Sequence, residues 1–254
     1  MVFPLSDDNT DRTRTPFVNY AIIVINLLVF VFLQGLGGND TFTYAFSTVP
    51  LEIITGRDIV TNARVIEYAG QQVEIPGLGT TPLSVYLTLI TSMFMHGGIA
   101  HILGNMLFLW IFGDNIEDRL GHVRYLFFYL ICGLLASLAH VFTTYALAAN
   151  SADMLVPSLG ASGAISGVLG GYVLLHPSRR VNVILFNFLT AVPAWVAIGI
   201  WFAFQLISGL GMLGEGSQQG GVAYGAHIGG FVAGLVLIKL FDMGHRGRSA
   251  GAYG

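Results

Sequence analysis

Charge is scarce in this chain. Asp, Glu, Lys and Arg make up only 10% of its 254 residues, against about 25% in soluble domains, and that shortage excludes an ordinary water-soluble globule. Cysteine is almost missing: the single copy, Cys132, makes an intramolecular disulfide impossible. No cleavable signal peptide is evident, because Met1 to Thr15 is polar and the first apolar run is too long for a signal h-region. The formal net charge of -3 says little about partners, since the charges cluster between apolar runs; no nucleic-acid partner is expected.

What the chain has instead is apolar length. Hydrophobic residues make up 54% of it and the mean hydropathy is +0.71. Apolar runs at about 17 to 36, 98 to 113, 123 to 148, 159 to 176, 183 to 213 and 220 to 241 approach or exceed the ~20 residues that cross ~30 Å of hydrocarbon. The expected fold is an all-α integral membrane protein with six transmembrane helices over residues 17–241. Residues 1–16 read as a disordered cytoplasmic lead and residues 242–254 as a flexible cytoplasmic tail. With the N-terminus inside, Arg12, Arg14, Arg119, Arg124, Arg179, Arg180, Lys239, Arg246 and Arg248 fall on the cytoplasmic side, and only Arg57 and Arg64 fall outside. The positive-inside rule favours that orientation, with both termini in the cytoplasm.

Two connections stand out. Residues 38 to 96 carry Pro50, Pro76 and Pro82 among apolar stretches such as Leu83 to Met95. They are too apolar for a free linker and too interrupted for a span, so they read as an outer segment lying partly in the membrane. Residues 113 to 121, bounded by Gly113 and Gly121 and rich in charge, read as a solvated, internally paired cytoplasmic turn.

Polar side chains inside the spans carry the chemistry. Gly160-Ala161-Ser162-Gly163-Ala164-Ile165-Ser166-Gly167 opens the fourth span, His101 and Asn105 lie one turn apart on one face of the second, and His227 lies in the sixth. Such residues in a membrane helix face the bundle or a cavity. His96 is off the His101 face and is expected to brace the outer segment. Small residues at 160, 163, 167, 170 and 171, and Ala223, Ala226, Gly230 and Gly234 in the sixth span, make two stripes along which helices approach closely. Packing explains the glycines but not the serine and histidine that share their stripes. In the orientation above, His101, Asn105, Ser162 and His227 all fall in the first turns of inward-running spans, one layer on the order of 5 to 10 Å deep.

That layer suits acyl transfer. Ser162 would attack a carbonyl while His227 takes its proton and returns it to the leaving amine. The membrane parts of spans three to six hold no Asp or Glu, so the reading is a dyad. His101, the Asn105 amide and the Ser162 backbone N–H are the candidate oxyanion donors. The soluble-hydrolase elbow G-x-S-x-G is not met, since Ala164 stands two residues after Ser162.

The set H-x-x-x-N, G-x-S-G and A-H-x-x-G, in that order and in the second, fourth and sixth spans, resembles the rhomboid family of intramembrane serine proteases from about Thr15 to Leu240. The resemblance implies a six-helix rhomboid-like bundle with a long, partly embedded first outer loop. It also implies Ser162 as nucleophile, His227 as base, and His101, Asn105 and the Ser162 amide as oxyanion site, with Gly160 keeping the approach to the serine open and Gly163 beside it. Substrates would be single-span membrane proteins cut near the outer end of their helix. The chain departs from some rhomboids, which carry an aromatic residue four positions after the serine, where this one has Ser166. Either Ser166 hydrogen-bonds His227 or another aromatic, such as Tyr224, orients the ring. No metal or organic cofactor is expected, and the lipid bilayer itself is a partner. A bacterial plasma membrane is the expected location. The rival reading is a catalytically silent rhomboid-like protein that binds membrane clients; an intact Ser162 and His227 weigh against it. A His-lined transporter lacks the charged path it would need.

Overall fold

The computed structural model describes residues 2–68, 71–147, 153–185, 188–209 and 223–243. Helices dominate. Three are long and apolar enough to cross a membrane: α5 (Ile99–Leu120), α6 (His122–Leu147) and α9 (Tyr224–Asp242). Shorter apolar helices stand beside them: α1 (Phe17–Leu28), continued by a π-helical turn at Val29–Leu33, then α7 (Ser162–Leu175) and α8 (Ala194–Gly209). Two short helices, α2 (Asp40–Ala45) and α3 (Pro50–Thr55), and the single turn α4 (Thr88–Thr91) lie between α1 and α5. This is a multi-pass membrane protein, and its outer faces show the expected pattern: Phe32, Val123, Phe127, Trp195 and Val236 are exposed apolar side chains.

The centre of the bundle is the α7–α9 contact. A side chain at Gly230 would overlap the carbonyl oxygen of Gly163, and one at Gly234 the carbonyl oxygen of Gly167. The two backbones therefore touch, which is what small residues at helical spacing permit in lipid, where packing and not hydrophobic collapse drives association. Around that seam Tyr125, Phe128, Tyr129, Leu169 and Tyr172 are fully buried.

Four expectations require correction. The chain is not all-α. Residues 2–16 are not a disordered lead: β1 (Val2–Asp7) pairs antiparallel with β4 (Arg180–Leu185), which pairs with β5 (Phe188–Pro193), giving the order β1-β4-β5. A second antiparallel pair, β2 (Arg64–Tyr68) with β3 (Gln71–Ile75), interrupts the long segment after α1. The described residues of the apolar run at 183 to 213 are accordingly part strand and part helix, because Val, Ile, Leu and Phe suit a strand as well as a span. Of the run 242–254, only Asp242 and Met243 lie within the described residues.

The charged run at 113 to 121 is not a solvated turn. It forms the last turns of α5, which Gly121 ends at φ +79°. Asp114, Asn115 and Glu117 are buried there. They stay buried because each meets a distant partner: Arg12 donates to Asp114 at 2.6 Å, and Glu117 accepts the first free N–H groups of α1 from Val18 (2.9 Å) and Asn19 (2.6 Å). Glu117 thus caps α1 from another helix. Asp7, the last residue of β1, accepts from Asn115 on α5 and from Tyr172 on α7. Burial pushes its carboxyl up to about 7. The sheet and this polar cluster sit at the opposite end of α7 from Ser162.

Candidate active site

α5, α7 and α9 each begin at the same level, and the sequence-predicted residues sit in their first turns. Ser162 is the first residue of α7, so its backbone N–H has no partner inside the helix. His227, one turn into α9, places Nε2 2.8 Å from Ser162 Oγ. This is hydrogen-bond distance for a hydroxyl and an imidazole nitrogen. They stand 65 positions apart in the chain and are brought together by the α7–α9 glycine seam, so the packing that holds the bundle together also sets this distance.

Gly160 shapes the approach. Its φ of +123° is open to glycine and strained for other residues, and its N–H is fixed to the Ser92 carbonyl at 2.9 Å. A Cβ there would lie 2.8 Å from His101 Nε2 and 3.6 Å from Asn105 Nδ2. Both side chains therefore face the backbone just before the serine. Their hydrogen bonding favours donation. His101 Nδ1 accepts from the Gly97 N–H at 3.3 Å, which fixes the ring proton on Nε2. Asn105 is 8% exposed, and its Nδ2 has no partner among the described residues. A buried amide donor without an acceptor is costly. Here that donor, the His101 Nε2 and the Ser162 N–H lie around one cavity with the Ser162 hydroxyl.

His101, Asn105, Ser162 and His227 line a cavity of about 800 Å³, with Phe108 from α5, Trp201 from α8, and Tyr44, Thr61 and Leu78 from the segment between α1 and α5. That segment therefore covers the site. His96 packs its ring against His101 edge-on at 5.1 Å, and its backbone N–H and carbonyl are clamped by the Gln34 amide, which ties the segment to the end of α1.

The supporting residues fall out differently from expectation. Ser166 does not bond His227; its hydroxyl donates to the Ser162 carbonyl one turn back, as a buried helical serine commonly does. Tyr224 meets the His227 ring edge-on at 6.5 Å and Trp201 tilts against it at 6.0 Å. The partner of His227 Nδ1 is Gln205 of α8, whose Oε1 lies 2.7 Å away. Sequence reasoning missed it, although it is the lone amide in an otherwise apolar helix and such a residue needs a partner. Gly163 packs against Ala136 of α6 and Ala226 of α9 and serves the seam, not the cavity. No group of three metal-ligating side chains occurs among the described residues.

Comparison with known proteins supplies the family. A Rhomboid domain matches residues 84–242, more than half of the chain. Rhomboid protein 1, mitochondrial, of Saccharomyces cerevisiae is 33% identical over 150 residues, 59% of this chain and 40% of the relative. Rhomboid protease GluP of Bacillus subtilis is 27% identical over 223 residues, 85% of this chain and 37% of the relative. Presenilin-associated rhomboid-like protein A, mitochondrial, of Danio rerio is 30% identical over 159 residues, 60% of this chain and 39% of the relative. The aligned stretches span about two fifths of these longer relatives. Helices packed backbone to backbone, three of them opening at one polar layer, and a family match that contains every residue of that layer together show that the chain belongs to the rhomboid family.

Proposed function

We propose that the chain is an intramembrane serine endopeptidase working through a Ser162–His227 dyad. The observation that carries the reading is the 2.8 Å approach of His227 Nε2 to Ser162 Oγ beside the Asn105 Nδ2 donor, which lacks a protein acceptor among the described residues. Ser162 Oγ attacks the scissile carbonyl carbon and its proton passes to His227 Nε2. The carbonyl oxygen becomes an oxyanion that accepts from His101 Nε2–H, Asn105 Nδ2–H and the Ser162 N–H. Collapse breaks the C–N bond, and His227 returns the proton to the departing amine. Water then enters by the same base and releases the acid from Ser162. No step needs a metal or organic cofactor.

Substrates on this reading are single-span membrane proteins, cut near the outer end of the transmembrane helix. A helix satisfies its own backbone hydrogen bonds, so the substrate has to unwind before a carbonyl can meet the serine. The full arrangement proposed is six spans with both termini in the cytoplasm. Of the mitochondrial and bacterial settings the relatives represent, the alignment over 85% of this chain is to the bacterial one, and a bacterial plasma membrane is the location proposed. The test is cleavage of a single-span reporter in proteoliposomes by the wild type, Ser162→Ala and His227→Ala. Product from the wild type alone is expected. An inert wild type, with the reporter held but uncut, would give the lead to a client-binding protein.

A further inference from the structure

His227 takes its second hydrogen bond from a helix that carries none of the other polar residues of the site. Gln205 lies in α8 and is 7% exposed, and its Oε1 faces His227 Nδ1 at 2.7 Å. An amide oxygen can only accept, so in this arrangement Nδ1 carries the ring proton. Nε2 then keeps its lone pair toward Ser162 Oγ, 2.8 Å away. The other tautomer would set an N–H against the serine hydroxyl and leave nothing to receive its proton. In soluble Ser-His-Asp sites a buried carboxylate selects the tautomer. A carboxylate among apolar helices carries a desolvation cost that a neutral amide avoids.

We propose that Gln205 is the positioning residue of the catalytic base: a neutral third member that selects the Nδ1–H tautomer of His227 and holds the ring at the serine. The inference rests on the Ser162–His227 reading above. Trp201, one turn earlier on the same face of α8, adds its ring against His227 at 6.0 Å, and Phe202 stacks on Phe231 of α9 at 4.1 Å. These contacts fix where along α9 the Gln205 side chain arrives, so the amide meets His227 without a search. The base is therefore aligned by the packing of α8 on α9, while the α7–α9 seam aligns the nucleophile.

The test compares Gln205→Met, which keeps the length and loses the acceptor, with Gln205→Glu, which keeps the acceptor. The full chain is assayed in proteoliposomes for reporter kinetics and for the rate at which a fluorophosphonate labels Ser162, a reaction that needs the base but no membrane substrate. Gln205→Met is expected to lower kcat about tenfold, the factor one neutral hydrogen bond supplies, with KM unmoved and the labelling rate lowered by the same factor. Gln205→Glu is expected to restore both rates. Wild-type rates in Gln205→Met, or equal losses in both variants, would overturn the positioning role while leaving the dyad standing. A wild type that neither cleaves nor labels would remove the dyad and this inference with it.

Discussion

On the proposed mechanism, replacing Gly160 by alanine displaces one oxyanion donor, His101, without substituting it. The added Cβ lies 2.8 Å from His101 Nε2 and 2.9 Å from Cε1, inside van der Waals contact, at a φ of +123° that alanine resists. Strained backbone of this kind costs about 1 to 3 kcal/mol. The Gly160 N–H bond to Ser92 keeps the loop from drifting, so the imidazole is the part that yields. If His101 donates to the oxyanion as proposed, displacing it lowers kcat by roughly 10² to 10³. The assay is reporter cleavage by Gly160→Ala, His101→Ala and the double variant, with the unfolding temperature of each. Gly160→Ala is expected to match His101→Ala in kcat, and the double variant is expected to be no worse than His101→Ala alone, because both changes remove the same donor. Multiplying losses in the double variant, or a wild-type kcat in Gly160→Ala, would refute the reasoning.

Two further outcomes follow from the fold. Asp7 carries a carboxyl raised from 3.8 to about 7 by burial, which outweighs the lowering hydrogen bond from Tyr172; its folded value exceeds its unfolded one, so its contribution to stability is complete below about 3.8 and is lost as pH rises from there to about 7. The unfolding temperature of the wild type should therefore fall between about pH 4 and 7 by more than that of Asp7→Asn, and parallel curves would contradict the assignment. The Phe108 and Trp201 rings lie 6.4 Å apart across the cavity between α5 and α8; if substrate helices pass between those two helices, cysteines at both positions in a Cys132→Ala chain, joined by a bifunctional maleimide, should stop reporter cleavage while fluorophosphonate still labels Ser162. Unaltered turnover after crosslinking would place the passage elsewhere.

How much was legible in the sequence depended on whether a residue's partner was near or implied by the family pattern. Ser162, His227, His101 and Asn105 were readable because a polar side chain in an apolar run stands out and because all four fall in the first turns of their helices. Gln205 meets the same criterion, yet the helix around it is apolar on every face, with Trp195, Trp201, Phe202 and Phe204 spread around it. In the fold Trp195 and Phe204 do face outward, while Trp201 and Phe202 turn in toward α9. The period of a helix that is apolar all round carries no information about which face is buried. The β1–β4 pairing joins residues about 180 positions apart, and no local pattern in Val2 to Asp7 announces a partner at that distance. Asp114 and Glu117 read as solvated because charge in sequence looks like surface; Arg12 and the α1 N–H groups that pair with them are about 100 residues away.

The most direct test of the central claim is to locate the covalent adduct left by a fluorophosphonate in the intact chain. Mass spectrometry of the wild type should find it on Ser162, and His227→Ala should form it at a rate lower by two orders of magnitude or more, about what loss of a general base costs. An adduct on another residue, or one on Ser162 that forms as fast without His227, would contradict a dyad built on the 2.8 Å contact between them.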